Sequence, residues 1–166
     1  MSLELKPLVK SDFEAILRLV EQPGVSHFLV DAPSLGRERL TLWFERSAKA
    51  FAHGRTGLFA LREAEGEEAD RIVGFAGLLV LDIGRPDDEY LLYAIDMDHR
   101  GRGLATEAAK RVVEFTAGKT RTKKIVATVD QENAASIRVM QKLGFTDGGV
   151  AAGERGDLRV FTLELK

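Results

Sequence analysis

Two glycines separated by one residue and flanked by arginines make the stretch with the clearest chemistry: Arg100, Gly101, Arg102, Gly103, Leu104, Ala105 and Thr106. It lies between a segment, residues 90–96, whose two alternating faces are both apolar, and an Ala-rich segment with helical spacing. Glycines at such a junction let the backbone turn sharply and a ligand approach closely, while the first amides of the following helix point outward unpaired. Amides arranged in that way favour an anion, most naturally phosphate, and Arg100 and Arg102 add charge beside them. A strand-to-helix turn without a ligand would use the same glycines, so this loop alone leaves both readings open. A dinucleotide fold fits less well, because Thr106 stands where a third glycine belongs and too little chain follows for a second nucleotide half. No GxxxxGK[ST] pattern exists, which excludes a Walker loop.

A second segment runs from Asn133 through Ala134, Ala135, Ser136, Ile137, Arg138, Val139, Met140, Gln141, Lys142 and Leu143 to Gly144 and Phe145. Helical spacing places Ser136 on the stripe of Val139, Met140 and Leu143, with Asn133 one turn earlier. Two polar side chains therefore face inward. Asn133 as a helix cap and Ser136 bonding a preceding carbonyl would account for them equally well.

Other chemistries are narrowed by composition. The chain has 166 residues, 45% hydrophobic and 30% charged, enough for one core, so a single domain over residues 1–166 is expected. It has no cysteine, which removes disulfides, thiolate metal sites and Cys nucleophiles together. His27, His53 and His99 lack paired spacing, so no metal site is expected. The net charge of −2 excludes a wholly basic nucleic-acid binder, though not a local patch, and nucleic acid is not the expected partner. There is no apolar run of about 18 residues and no basic leader, so neither membrane insertion nor export is expected and the cytoplasm is the expected location.

The elements around these residues follow from periodicity. Residues 3–9 read as a strand. Ser11, Asp12, Phe13 and Glu14 read as a capping box before a helix bearing Ile16, Leu17 and Val20, stopped by Pro23 and Gly24. An irregular connection over residues 25–35 follows, then a helix from about Arg37 to Gly54 with Leu40, Trp43 and Phe51 on one face. Residues 56–62 and 71–81 form a hairpin around an acidic turn, and residues 90–96 form an interior strand. A helix from Leu104 to Gly118, a strand at 125–129, a helix at 134–143 and a strand at 158–165 complete a mixed α/β sheet covered by helices. A further strand near Phe145 or Val150 is left open. Lys119, Arg121, Lys123 and Lys124 form a basic turn that could meet a coenzyme phosphate or a partner, or be a solvated loop.

Together the two segments resemble the acetyl-CoA motifs of the GNAT superfamily of N-acetyltransferases. Arg100, Gly103 and Ala105 match [RQ]xxGx[GA], and Asn133, Ser136 and the run from Lys142 to Phe145 match the NxxS…KLGF helix. The Asn133 and Ser136 pair followed by Ile137, Arg138 and Val139 is similar to the Rim-type ribosomal-protein N-terminal acetyltransferases. The resemblance implies a single-domain, mostly antiparallel sheet, splayed between the strands ending near Asp96 and Val129, with the pantetheine arm of acetyl-CoA inserted there. It implies that main-chain groups near Ile95 and Met97, and amides from Gly101, Arg102, Gly103, Leu104, Ala105 and Thr106, hold the coenzyme. Asn133 would bond the pantetheine arm, and Ser136 would sit near the sulfur as acid to the leaving thiolate. An amine would attack directly, with backbone amides near Ile95 stabilising the oxyanion.

Two departures from the family pattern stand out. Met140 occupies the place of a frequent Tyr acid, and Tyr90 that of a frequent Glu base. Glu89 is adjacent to the latter, although strand alternation would turn it to the opposite face, and Glu154 before the last strand is the other carboxylate available. His27 falls where the family places acceptor contacts. The expected activity is transfer of acetyl from acetyl-CoA to a peptide or protein N-terminal α-amine, or to a small amine of similar pKa. The alternatives are an acyl-CoA sensor without turnover and a ribosome-associated factor using the basic turn. The sequence leaves a homodimer open.

Overall fold

Alternation over Leu3, Glu4, Leu5 and Lys6 lets one face of the first strand, β1 (Leu3–Pro7), meet the sheet while the other stays wet. The computed structural model describes residues 3–25, 35–66, 71–81, 85–153 and 156–166. Helix α1 (Phe13–Val20) and helix α2 (Gly36–Ala52) follow, then strands β2 (Leu58–Glu63), β3 (Ile72–Val80) and β4 (Glu89–Ile95). Helix α3 (Leu104–Lys119), strand β5 (Lys124–Asp130), helix α4 (Ala134–Lys142) and strands β6 (Thr146–Gly153) and β7 (Gly156–Glu164) complete the chain.

The seven strands form one sheet in the order β1-β2-β3-β4-β5-β7-β6. Every neighbouring pair is antiparallel except β4 and β5. That parallel pair meets at a single register position, Tyr90 opposite Val126, and the strands part towards their C-terminal ends. β5 instead pairs along its whole length with β7, from Lys124 opposite Glu164 to Asp130 opposite Leu158. The splay expected between these strands is therefore present.

Each face of the sheet has its own core. Ile16 and Val20 of α1 and Leu40 and Trp43 of α2 pack on Leu58, Ala60, Phe75 and Ala94. On the other face Ala108, Ala109 and Val112 of α3 and Val139 and Met140 of α4 pack on Leu61, Val73, Leu91 and Ile95. The alanines of α3 let that helix lie close against the sheet, so its N-terminus arrives directly at the end of β4. Burying a large apolar side chain contributes about 1.5–3 kcal/mol, and this holds the helices in place. A solvated pair such as Arg37 with Glu14 adds little.

Two local expectations are corrected and one left open is met. Ser11 is not a helix cap: a 3₁₀ turn, Lys10–Asp12, precedes α1, and the Asp12 carboxylate accepts the Val9 N–H at 2.9 Å while pairing with Arg62 at 2.6 Å. A buried ion pair with a second hydrogen bond outcompetes a serine hydroxyl for the chain's entry into the helix. Pro23 and Gly24 do not simply stop α1, which ends at Val20; residues 23–25 are again helical, since proline is well suited to a first helical position. The further strand left open near Phe145 or Val150 is present as β6, on the edge of the sheet. Most of the connection over residues 25–35, including His27, lies outside the described residues, as does Glu154.

Candidate functional site

The gap between β4 and β5 opens into a cleft of about 620 Å³ lined by residues of β4, β5, α4 and the loop into α3. Along a strand the main-chain groups of alternate residues point to opposite neighbours. Asp96 donates its N–H to Val73 of β3 at 2.8 Å, so Tyr93 and Ile95 turn their N–H groups the other way, into the gap. Ile95 thus sits where the sequence reading places it.

The loop into α3 supplies a second set of amides. Gly101 and Gly103 have φ of 80° and 74°, a conformation that costs a residue with a Cβ about 1–2 kcal/mol. An added Cβ at either would meet nothing within 4 Å, so both glycines border open space. Gly103 is the N-cap of α3 and no side chain caps the helix, which leaves the amides of Leu104, Ala105 and Thr106 facing the cleft at the positive end of the helix dipole. Gly101, Gly103, Leu104, Ala105 and Thr106 all line it. Arg102 and Met97 do not. Arg102 is half-exposed and 4.0 Å from Glu63, and the Met97 N–H is taken by the Gln22 side chain at 3.1 Å.

The loop is braced from behind. His99 is buried, with Nε2 3.1 Å from Glu63 Oε1, and it fixes the 3₁₀ turn Met97–His99. The Arg100 guanidinium donates to the Ile95 carbonyl at 3.4 Å and to the Gly24 carbonyl at 3.0 Å. Its role is thus to tie the loop to the turn after α1. Only its position beside the glycines hinted at this in the sequence, and nothing hinted at His99.

Across the cleft, Asn133 caps α4, its side-chain oxygen accepting the Ser136 N–H at 3.2 Å. The cap fixes Asn133 at the cleft wall and leaves its amide NH₂ free of that bond. Ser136 is half-buried and lines the cleft beside Met140, which is fully buried and offers no proton. Tyr93, which the sequence reading passed over as one apolar residue of β4, also lines it. Burial pushes its phenol up to about 12, partly offset by the Ser136 side chain. The Tyr93 hydroxyl is buried, and among the described residues no group meets full hydrogen-bond geometry with it, the Ser136 side chain being the polar group that acts on it.

The carboxylates fall differently. Glu89 is buried at the start of β4, away from the cleft lining, where Thr122 Oγ1 donates to it at 2.6 Å and Arg55 pairs with it at 3.1 Å. Among the described residues lining the cleft, Glu132 is the one carboxylate, and it is exposed. Arg138 and Lys142 of α4 bring positive charge to the rim. Tyr90 points away from Tyr93 by strand alternation, and its phenol is raised by burial and by Asp88.

Comparison with known proteins bears on this geometry. The sequence profile of the acetyltransferase (GNAT) domain matches residues 2–146. The Bacillus subtilis protein named "Probable N-acetyltransferase YjcK" is 30% identical over 115 residues, 69% of this chain and 60% of its own length. The matched stretch is thus less than two thirds of that relative. The ribosomal-protein-S5-alanine acetyltransferase of Vibrio fischeri superposes with a TM-score of 0.78 at 16% identity, covering 99% of this chain and 93% of its own. The spermidine N-acetyltransferase of Vibrio cholerae, solved with CoA and spermine, gives 0.75 at 18% identity, covering 98% and 95%. At such identities the two structures establish a shared fold.

Proposed function

Since the chain belongs to the GNAT acetyltransferase family, we propose that it moves an acetyl group from acetyl-CoA to an amine, with an N-terminal α-amine or a small amine of similarly low pKa as acceptor. The observation that carries this reading is one cleft joining a strand gap to an uncapped helix N-terminus and to Ser136. Acetyl-CoA would supply a thioester open to direct attack by an amine. The amides of residues 101–106 fit its pyrophosphate, since they are donors without side-chain competitors at the positive end of α3. The main-chain groups of Tyr93 and Ile95 in the gap suit an extended amide-bearing arm, as an added strand would. The Ile95 amide would also stabilise negative charge on a carbonyl oxygen. Asn133 would bond the arm through its free NH₂, and Ser136 would direct its hydroxyl at the sulfur.

The acceptor class follows from the carboxylates. Glu89 is committed to Arg55 and Thr122, and the cleft has no buried carboxylate among the described residues. A lysine side chain with pKa ~10.4 is neutral in about one molecule in a thousand near pH 7.4, so deprotonating it costs roughly 4 kcal/mol. An α-amine near ~7.8 is about one-third neutral and costs less than about 1 kcal/mol. A site without a strong base serves the second more readily, with water carrying the proton away. A polyamine would also call for carboxylates along the cleft.

Titration calorimetry with acetyl-CoA tests the donor site, and absence of binding at millimolar ligand would remove the reading altogether. Acetylation of a free N-terminus and of an internal lysine, measured side by side at pH 7.4, tests the acceptor. Faster modification of the lysine would overturn the acceptor class and leave the donor site standing.

A further inference from the structure

Strand alternation places Leu91, Tyr93 and Ile95 on the face of β4 covered by α3 and α4. The Tyr93 ring packs there with its hydroxyl oxygen buried, no group among the described residues meeting full hydrogen-bond geometry with it, and the Ser136 side chain is the polar group that acts on it. Phenylalanine would fill the same space without leaving a polar atom unsatisfied. The oxygen sits at the one place where α4 brings another hydroxyl into the cleft, that of Ser136.

Ser136 itself is half-tethered. Its main chain is fixed by the Asn133 cap at 3.2 Å, but its hydroxyl can rotate, and with no donor to its oxygen the hydroxyl of a serine in a helix's first turn can give its proton to a nearby main-chain carbonyl. In that orientation its proton faces the helix and not the cleft. A donor aimed at its oxygen would occupy a lone pair and turn the proton outward. Met140, one turn further along α4, is buried and has no hydrogen to give.

We infer that Tyr93 is a positioning residue: on donor binding its phenol donates to Ser136 Oγ and so holds the serine proton towards the sulfur of the bound thioester. This deepens the acetyltransferase reading and depends on it. The hydroxyl that the family often draws from the position of Met140 is thus supplied to Ser136 from the neighbouring strand. Tyr93 keeps its own proton throughout, in line with a phenol raised to about 12, so it orients the serine and transfers nothing. A hydrogen bond between two hydroxyls also strengthens the next one in the chain, here from Ser136 to sulfur.

The test is a cycle of Tyr93→Phe, Ser136→Ala and the double variant in the full chain, read by steady-state kinetics and by the affinities for CoA and desulfo-CoA. Removing one directed hydrogen bond is expected to lower kcat roughly tenfold in Tyr93→Phe while the KM for acetyl-CoA changes by less than about twofold. The double variant should be no slower than Ser136→Ala, because Tyr93 acts through the serine. Any preference of the wild type for CoA over desulfo-CoA should shrink alike in both single variants. Wild-type kcat in Tyr93→Phe, or losses that simply multiply in the double variant, would overturn the assignment. A wild type that binds no CoA would instead remove the parent reading, and this inference with it. The Phe variant loses only that buried oxygen, and an unchanged melting temperature confirms that it is folded. Ser136→Ala, at a half-exposed helix position, carries the CoA comparison independently of it.

Discussion

Arg100 donates to the carbonyl of Gly24, 3.0 Å away and 76 residues earlier in the chain, with the same guanidinium reaching the Ile95 carbonyl. One side chain thereby ties the donor loop to the turn that follows α1. Gln22 makes a parallel link to Met97. Arg100→Ala is expected to raise the KM for the acceptor about fivefold, the loss of about one hydrogen bond, with a smaller change for acetyl-CoA. Arg100→Lys should restore little, since an ammonium does not offer the planar fork that spans two carbonyls. Initial rates with acceptor varied at saturating acetyl-CoA check both.

Gly103→Ala should fold but lose about 1–2 kcal/mol of stability from its left-handed backbone, visible in urea unfolding. Its Cβ would enter the space in front of the α3 amides, so acetyl-CoA affinity should fall at least about tenfold, the equivalent of ~1.4 kcal/mol. Gly103→Val should abolish binding. Arg102→Ala should weaken it less, because that side chain is half-exposed and outside the cleft lining. Calorimetric titration of the folded variants ranks the three.

Ser136→Ala should lower kcat by about tenfold to a hundredfold while raising the KM for acetyl-CoA much less, because a group assisting a leaving thiolate acts mainly in the transition state. Equal loss in both parameters would assign the serine to ground-state binding.

Asp12→Ala removes one half of a buried ion pair with Arg62, together with the acceptor of the Val9 N–H. Leaving the partner charge without its closest carboxylate should cost about 3 kcal/mol in urea unfolding, with an unchanged m-value. Ser11→Ala should cost far less, since no cap depends on it.

Tyr93 also predicts an alkaline limb. Its folded pKa of about 12 exceeds the ordinary value of 10, so the folded state holds the proton more tightly. The stability this contributes is complete below about pH 10 and is lost as pH rises from about 10 to 12, by roughly 2–3 kcal/mol in all. Tyr93→Phe lacks that term. Its stability should fall less steeply than the wild type's over the same window, measured by denaturant unfolding at stepped pH.

What the sequence disclosed and what it withheld divide along contact distance. The glycine loop, the alanine stripe of α3 and the Asn133 to Ser136 spacing are local patterns, and each stands where its periodicity puts it. Ser11 looks like the cap in the sequence because Arg62, the partner that fixes Asp12 beside it, lies 50 residues away. Glu89 looked like a spare carboxylate because Arg55 and Thr122 reach it from other elements. β6 hid behind paired glycines and a register shift between Asp147 and Val150 that erase alternation. Tyr93 read as one more apolar residue of a buried strand, since only the tertiary approach of α4 sets a serine beside its oxygen.

The lone rung between Tyr90 and Val126 also makes the β4–β5 pair the least-bonded seam of the sheet. The strand pairs on either side of it, β3–β4 and β5–β7, run the length of their strands, so amide exchange is expected to begin at the β4–β5 seam. An acyl donor bound in that seam, as proposed, would act as a rivet, and at a hundred times its dissociation constant it would add about 2.7 kcal/mol to the closed state. Slower amide exchange in β4 and β5 on adding acetyl-CoA would then report that the seam is filled.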